Sequence, residues 1–515
     1  MTYVSNLDTP LLQLSPQDNF TLRDACAGVH IFGGIGSGKT SGSGKSLAGA
    51  YLRAGMGGLV LCAKPEEVET WKRYAIAHGR ADSLIVFDET QGFNFITYEL
   101  ARQGLAGISN VTECLMRVLE AADHTAGAGG GASSDPFWGQ ATRQVLNYTI
   151  PLLYSAHGGV TVSSIIDFVT SAATKPEQYK DTNWCSRSLA AQTLQKAAQN
   201  AVVPMTKNGI TAMLDYWFNQ YPAIPEKTRG NIVITLSSKL DRFKHGRMNQ
   251  SFCSNTTLVP ELTFHGAIIV MAMPALTWNE DGIIGQQLFK FMWQRAVESR
   301  NGLEQRHQDR PVFLWADESQ YFVNVKDDEF LSTCRGSRAC VVFLTQTLPT
   351  YYARLGKNQT DAADGLVGKF STQVFHQNAC NRTNTFASQL IGRGIHQRTN
   401  RSSSTGHTYS KGSSSNDGYT HSSSMNYSVG GGSGGGSNSG SSKSWGETSS
   451  EGTSYNDSIG SSEQMDFLLE PNFFASGLKS GGAPHNGIVT GVWFKAGAQF
   501  QAVNGKNYMV TPFKQ

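Results

Sequence analysis

Gly28-Val29-His30-Ile31-Phe32-Gly33-Gly34-Ile35-Gly36-Ser37-Gly38-Lys39-Thr40 is the stretch on which the fold turns. An apolar run short enough for a strand feeds a glycine-rich loop, and residues 46–54 beyond it are helix-compatible. Residues 33–40 satisfy Gly-x-x-x-x-Gly-Lys-[Ser/Thr] in full, the pattern of a phosphate-binding loop. Glycines let successive backbone N–H groups turn inward around phosphate oxygens. Lys39 then neutralises the outer phosphates and the Thr40 hydroxyl serves as a Mg²⁺ ligand. The expected nucleotide contacts are Gly33, Gly34, Ile35, Gly36, Ser37, Gly38, Lys39, Thr40 and Ser41, with ATP and Mg²⁺ as the bound species. Ser41-Gly42-Ser43-Gly44-Lys45-Ser46 nearly repeats the motif, but Lys39 stands where its leading glycine belongs, so one cradle is expected. Two glycines in a first helical turn cost about 1 kcal/mol each relative to Ala. Either the helix starts late or something packs closely against them.

Further strands are expected over 58–63 and 83–88, separated by a helix over 66–79 that Pro65 opens. Strand, helix, strand in alternation is the signature of a parallel sheet covered by helices. From 105 to 255 apolar residues recur at helical spacing instead, in 111–122, 137–155, 162–173, 189–200, 210–221 and 227–243, with a Gly-rich break over 127–134. Strand texture returns at 267–273, 312–317, 339–345 and 369–375, with a long helix over 285–300. Residues 399–462 are almost wholly Ser, Gly, Asn and Thr. Such a composition buries too little apolar surface to offset ordering entropy, so a disordered insert is expected. Residues 464–469 lead to a Pro-Asn turn, and 487–494, 498–503 and 506–513 read as two or three closing strands, with Asn504-Gly505 as a hairpin turn. The expected organisation is an α/β RecA-like P-loop motor in pieces: 1–104, an inserted all-α domain 105–256, 257–398, the insert 399–462, and strands in 463–515 that complete the motor.

Val312-Phe313-Leu314-Trp315-Ala316-Asp317-Glu318 supplies the acids a nucleotide site needs. Asp317, at the carboxyl end of its strand, is expected to hold the metal, and Glu318 to polarise the attacking water. Lys39 and Asp317 stand 278 residues apart, more than a few βαβ units of ~30 residues can fill, hence the helical insertion. Gln346, at the end of the next strand, is placed to sense the γ-phosphate or orient water. Arg335, in Cys334-Arg335-Gly336-Ser337-Arg338, is either an arginine finger for a neighbouring subunit's site or an ordinary surface residue.

Composition narrows the alternatives. The 515 residues carry 43 Lys and Arg against 40 Asp and Glu, a net +3, which excludes a protein that coats nucleic acid through bulk charge. Eight cysteines without a Cys-x-x-Cys pair read as reduced, mostly buried thiols. No apolar run approaches the ~18 residues that would span a bilayer, and the first residues lack a signal-peptide pattern. A cytoplasmic protein, recruited to the inner membrane by partners, is the expectation.

Residues 33–40, Lys64-Pro65-Glu66-Glu67, Asn94, Asp317-Glu318 and Thr345-Gln346 together resemble the VirD4/TraG/TraD type IV secretion coupling proteins, within the FtsK–HerA class of ring ATPases. The resemblance covers about 27–104 and 267–392, with an echo in 464–513. It implies a homohexameric, ATP-driven motor that threads DNA through a central pore, with relaxase or secretion-channel proteins as partners. It also places Arg335 where the family carries its trans-acting arginine. Three features depart from the family's pattern: the sequence starts almost at the motor, where family members usually begin with a membrane anchor; Ala63-Lys64-Pro65 stands where Asp-Pro-Lys often follows the second strand; and the Ser/Gly-rich insert is unusual. Lys207, Arg354 and Lys357 are candidates for contacts to DNA in the pore. A HerA-like motor serving a nuclease, a secretion ATPase moving protein, and a nucleotide-gated adaptor remain as alternative readings of the same residues.

Overall fold

The computed structural model describes residues 2–125, 136–324, 326–355, 360–412 and 448–515. The Gly-rich break 127–134 and Lys357 lie outside the described residues. In chain order the strands are β1 (Pro10–Gln13), β2 (Asn19–Thr21), β3 (Val29–Phe32), β4 (Gly57–Leu61), β5 (Leu84–Phe87), β6 (Ile268–Met271), β7 (Val312–Ala316), β8 (Ala339–Thr345), β9 (Thr372–Phe375), β10 (Arg393–Gly412), β11 (Thr448–Phe467), β12 (Ile488–Lys495) and β13 (Tyr508–Lys514).

Nine of them form one sheet in the order β13-β12-β9-β3-β8-β7-β4-β6-β5. The run from β9 to β5 is parallel throughout, and β12 and β13 extend it antiparallel beyond β9. This is the RecA-type architecture expected from the sequence. The central strands β3, β4, β6, β7, β8 and β9 are buried at every position, as near-continuous apolar runs in a sheet covered on both faces must be. Leu47 and Tyr51 of helix Lys45–Arg53, with Val68 and Trp71 of helix Pro65–Ala77, pack in one core with Ile31, Val60, Val270, Phe313 and Val342 of the sheet. Because every parallel strand points the same way, the loops after β3, β7 and β8 meet along one carboxyl edge.

The described residues of 105–256 contain no strand, and their α-helices are Ile108–Thr125, Pro136–His157, Val162–Thr170, Thr182–Arg187, Leu189–Gln199, Lys207–Asp215, Tyr221–Ala223, Glu226–Leu240 and Gly246–Phe252. They lie with the sheet in a single compact unit of residues 1–387 and 471–515. Asn94 belongs to this junction. Its side chain caps helix Phe95–Gln103 by accepting from the Thr97 N–H and donates to the Val160 carbonyl.

Two expectations are corrected. Residues 498–503 are not a strand; a 3₁₀ turn at Gln501–Val503 leads into Asn504 and Gly505, both at positive φ, which close the short bridge Phe500↔Lys506. Within 399–462, expected to be disordered, residues 399–412 and 448–462 instead pair in the long antiparallel ribbon β10–β11, a separate unit of residues 388–470. The expectation failed because cross-strand backbone hydrogen bonding can order Ser and Gly without burying them. Residues 413–447 lie outside the described residues.

Among the described residues no single helix is long and apolar enough to cross a membrane. All eight cysteines are free, five of them buried.

A buried ion pair anchors the segment that follows β7. The fully buried Lys290 ammonium, on helix Ala275–Ser299, donates to both carboxylate oxygens of Asp327 and to the Phe322 carbonyl. Asp327 also accepts from Gln294 and from the Asn324 N–H. Removing one partner of such a pair strands the other charge at about 3–5 kcal/mol, while replacing both with apolar groups is often near neutral. Lys290→Met is therefore expected to unfold at markedly lower denaturant, and Lys290→Met with Asp327→Leu to recover much of the loss, as read by equilibrium unfolding.

Candidate nucleotide site

The loop after β3 has the form of an anion cradle. Gly36 and Gly38 adopt φ of +72° and +81°, conformations that favour glycine. The Gly33 and Gly34 N–H groups are committed to the Thr345 and Gln377 carbonyls. Those of Gly36, Gly38, Lys39 and Thr40 meet no acceptor among the described residues. The buried Ser37 hydroxyl is likewise without a partner, while Ile35 is 89% exposed at the loop's tip. Unsatisfied donors ahead of a helix fit a phosphate group.

The helix after the loop opens with a wide π turn over Thr40–Gly44 and becomes α-helical at Lys45. A Cβ on Gly42 would lie 3.1 Å from Val489 Cγ1 and 3.5 Å from Phe513 Cβ; one on Gly44 would lie 3.0 Å from the Lys39 carbonyl oxygen. Both glycines thus answer to close neighbours: at Gly42 the C-terminal strands β12 and β13 lie directly on the turn, and at Gly44 the Lys39 carbonyl and Leu344 close in. Gln515 also donates to the Ser41 hydroxyl at 2.9 Å. Buried His376 bridges the same elements, with Nε2 2.7 Å from Ser43 Oγ and Nδ1 3.0 Å from the Thr490 carbonyl oxygen. That carbonyl can only accept, so Nδ1 carries the proton and Nε2 accepts from Ser43. Burial drives the His376 pKa down to about 4, outweighing the Thr490 contact, and the ring is neutral.

The acids arrive from β7. Thr40 Oγ1 donates to Asp317 Oδ2 at 2.6 Å, and Asp317 Oδ1 accepts from the Glu318 N–H. Glu318 sits in the left-handed region at φ 50°, ψ 47°, which is strained for a residue with a Cβ. Its buried carboxylate lies 3.6 Å from Lys39 Nζ and 3.0 Å from Lys64 Nζ. It also accepts from Gln320 at 3.0 Å and from Gln346 at 3.3 Å. Burial alone would raise its pKa, but Lys39, Gln320 and Lys64 together hold it down to about 2. Gln320 is itself oriented by Thr345, whose hydroxyl donates to its amide oxygen at 2.8 Å.

Lys39, Thr40, Asp317, Glu318 and Gln346 are thus brought into one hydrogen-bonded cluster. Arg335 is not part of it. It is exposed in the loop before β8, at the opposite end of the strand from Gln346. Lys207 is exposed, and Arg354 lies half-buried over the Tyr321 ring at 6.0 Å. Sequence reasoning assigned no role to Lys64 or Gln320. Lys64 lies 254 residues from Glu318 along the chain, and its place in Lys64-Pro65-Glu66-Glu67 was the sole signal.

The residues present fit nucleotide and metal. Thr40 and Asp317 offer two oxygens side by side, the kind of partial set Mg²⁺ takes when phosphates and waters complete its shell. Glu318 is ionised down to about pH 2 in the folded chain, so its contribution to stability is full above about pH 4.5 and lost as pH falls through about 2. Glu318→Gln should therefore melt below the parent protein at pH 7, leaving Lys39 and Lys64 unneutralised. The gap should narrow across the acid range, as melting temperature against pH will record.

Residues 311–429 match the family model described as the TraM recognition site of TraD and TraG. No curated protein matches the chain. Among solved structures, the bacterial conjugative coupling protein TrwBdeltaN70 in its unbound monoclinic form superposes over 98% of this chain and 90% of its own. The TM-score is 0.56 at 12% identity. The trigonal sulphate complex of the same protein gives a TM-score of 0.47 at 13% identity, over 75% of this chain and 80% of that one. VirB4 of Thermoanaerobacter pseudethanolicus gives 0.42 at 11%, over 71% and 80%. Of these likenesses the first establishes the shared fold.

Proposed function

We propose that this chain, similar to the VirD4/TraG/TraD coupling proteins in fold and in its 311–429 segment, is an ATP-driven ring motor that translocates DNA. The observation that carries the reading is the cluster in which loops after β3, β7 and β8 deliver Lys39, Thr40, Asp317, Glu318 and Gln346 to one point. Mg²⁺, when bound, would supply Lewis-acid charge to the phosphate oxygens. Thr40 and Asp317 would hold it. Lys39 would bind the outer phosphates, and the free N–H groups of the loop the inner ones.

Glu318 has the role of orienting water and taking its proton. Held at a pKa of about 2 by two lysines it is a poor base. Movement of the Lys39 ammonium onto phosphate removes one of those charges and raises the carboxylate's proton affinity. The clamp therefore favours turnover with nucleotide in place over idle chemistry without it. Gln346, on the same carboxylate, is positioned to report which state the site occupies. Arg335 cannot reach its own cluster, and an exposed arginine at the far end of β8 suits the site of a neighbouring subunit. The description of the 311–429 match, a TraM recognition site, supports docking of a TraM-like protein partner on this chain, and the resemblance adds a relaxase or secretion-channel component as a further partner.

Two outcomes test the reading. Lys39→Ala should lose nucleotide binding, whereas Glu318→Gln should bind ATP and stall, since positioning and electrostatics carry most of phosphoryl-transfer catalysis. Arg335→Ala should bind and hydrolyse poorly, a finger being worth about 10³–10⁵ in rate, and mixing it with Lys39→Ala subunits should restore part of the activity. No rescue in mixed, folded rings counts against an arginine acting in trans.

For DNA, six subunits each contributing one basic residue, with Lys207 the exposed candidate, make about six phosphate contacts. The slope of log affinity against log salt is then about −5 for duplex or −4 for a single strand. Fluorescent DNA titrated at several salt concentrations, with ATPase stimulation followed in parallel, measures this. Absence of both binding and stimulation in assembled rings would favour a protein cargo.

A further inference from the structure

Strands β10 and β11 pair over twenty consecutive positions, from Arg393↔Phe467 to Gly412↔Thr448, without one shift of register. They form a two-stranded sheet, so among the described residues each strand has one edge that pairs with no other strand. Such an edge is a template for another strand, and proteins blunt it with proline, bulges, shortness or like charges that repel a second copy. Neither strand contains proline, the register is unbroken, and both are long.

The charges are segregated by strand. β10 carries Arg393, Arg398, Arg401 and Lys411 and no acid; β11 carries Glu451, Asp457, Glu463 and Asp466 and no Lys or Arg. Inside the ribbon Arg398 meets Asp466 at 2.6 Å and Arg401 meets Asp457 at 2.8 Å. Lys411, Glu451 and Glu463 have no ion-pair partner among the described residues. The pleat also sorts the apolar groups. Ile395, Tyr409, Tyr455, Ile459 and Met465, all more than half exposed, share one face, while Ser402, Ser404 and Ser410 share the other with Ser450, Ser454, Asn456 and Ser458.

We infer that the ribbon is a subunit-joining element whose partner is a second copy of this chain: the basic β10 edge of one copy pairs with the acidic β11 edge of the next. Two-fold pairing of β10 with β10, or β11 with β11, would set four like charges against four, which is destabilising across strands. The head-to-tail arrangement satisfies the charges and uses both edges of every copy, and a contact of that kind closes into a ring when the rotation permits. Closure leaves no free strand edge and turns the mixed apolar and Ser-rich faces into the two faces of one continuous sheet. The inference rests on the ring reading above and assigns part of the ring's assembly to residues 393–412 and 448–467.

The test is a full-chain variant with the charges exchanged: Arg393→Glu, Arg398→Glu, Arg401→Glu and Lys411→Glu, combined with Glu451→Lys, Asp457→Lys, Glu463→Lys and Asp466→Lys. It keeps each ribbon's internal pairs and its head-to-tail complementarity, so it should fold and self-assemble. Against the parent chain, however, like charges meet at every mixed contact. Donor- and acceptor-labelled protein should exchange subunits within each species, giving energy transfer, and between the two species the transfer should fall severalfold at low salt. Equal mixing overturns the inference. In parallel, replacing 393–467 with a short Gly/Ser linker should shift assembly to severalfold higher protein concentration, leaving the ATPase rate of assembled rings unchanged; assembly at the parent's concentration also overturns it. Rescue between Lys39→Ala and Arg335→Ala subunits, scored in the same preparations, separates the two readings. Rescue with random mixing removes the ribbon's role alone, and absence of any assembly or rescue removes both.

Discussion

Glu318 lies buried two residues beyond a strand that is buried along its whole length, and a carboxylate in such a place must be neutralised or lose its charge. Two lysines from different loops do this, Lys39 after β3 and Lys64 after β4, with Gln320 and Gln346 supplying further donors. The order of the sheet makes the arrangement possible. β7 lies between β8 and β4, with β3 beyond β8, so loops after four neighbouring parallel strands converge on one carboxylate. The left-handed backbone at Glu318 turns that carboxylate toward the phosphate loop while Asp317 stays on Thr40. The strain is borne locally by a residue whose side chain has four polar partners.

The next residue carries the constraint inward. Ser319 donates to the Leu344 carbonyl at 2.8 Å and contacts the Tyr351 hydroxyl at 2.6 Å, and Tyr351 meets His30 Nε2 at 2.8 Å. Burial pushes the His30 pKa down to about 3, so the ring is neutral at neutral pH and adds no positive charge beside the site. This chain of contacts ties the strand before the phosphate loop, the turn after the acids and helix Leu348–Leu355 into one buried polar run. Lys290 and Asp327 fix the far side of the same turn. Glu318 is therefore held from its backbone as well as its carboxylate.

What the sequence made legible follows from how local each signal is. The phosphate loop and the two acids are written in consecutive residues, and the structure brings them together as the motifs require. The six helices expected between 105 and 255 appear within a few residues of their limits, because an apolar stripe at helical spacing is also local. Lys64 could not be read this way, since its partner is set by strand order rather than spacing. The β1–β2 hairpin near the start escaped notice because four- and three-residue strands carry too short a pattern. The ribbon escaped for a different reason. Composition reports whether a segment can bury apolar surface, and β10 and β11 are ordered through backbone pairing with side chains left exposed.

The phosphate loop also depends on the most distant part of the chain. Val489 and Phe513 pack against the glycines at 42 and 38, and His376 joins Ser43 to the Thr490 carbonyl, so β12 and β13 shape the turn that residues 33–44 adopt. Gly42, the one of these two inside the helix, costs helix stability on its own, and its packing against Val489 and Phe513 offsets that cost once the C-terminal strands are in place. Asp18 makes the same long-range tie from the other side, accepting from the Gln501 and Ala502 N–H groups at 2.8 and 3.0 Å. A loop that reads as a self-sufficient motif is thus completed by residues more than four hundred positions away. The wide π turn at Thr40–Gly44 is the segment those strands touch, and it opens directly after Lys39 and at Thr40, the two residues that meet Glu318 and Asp317.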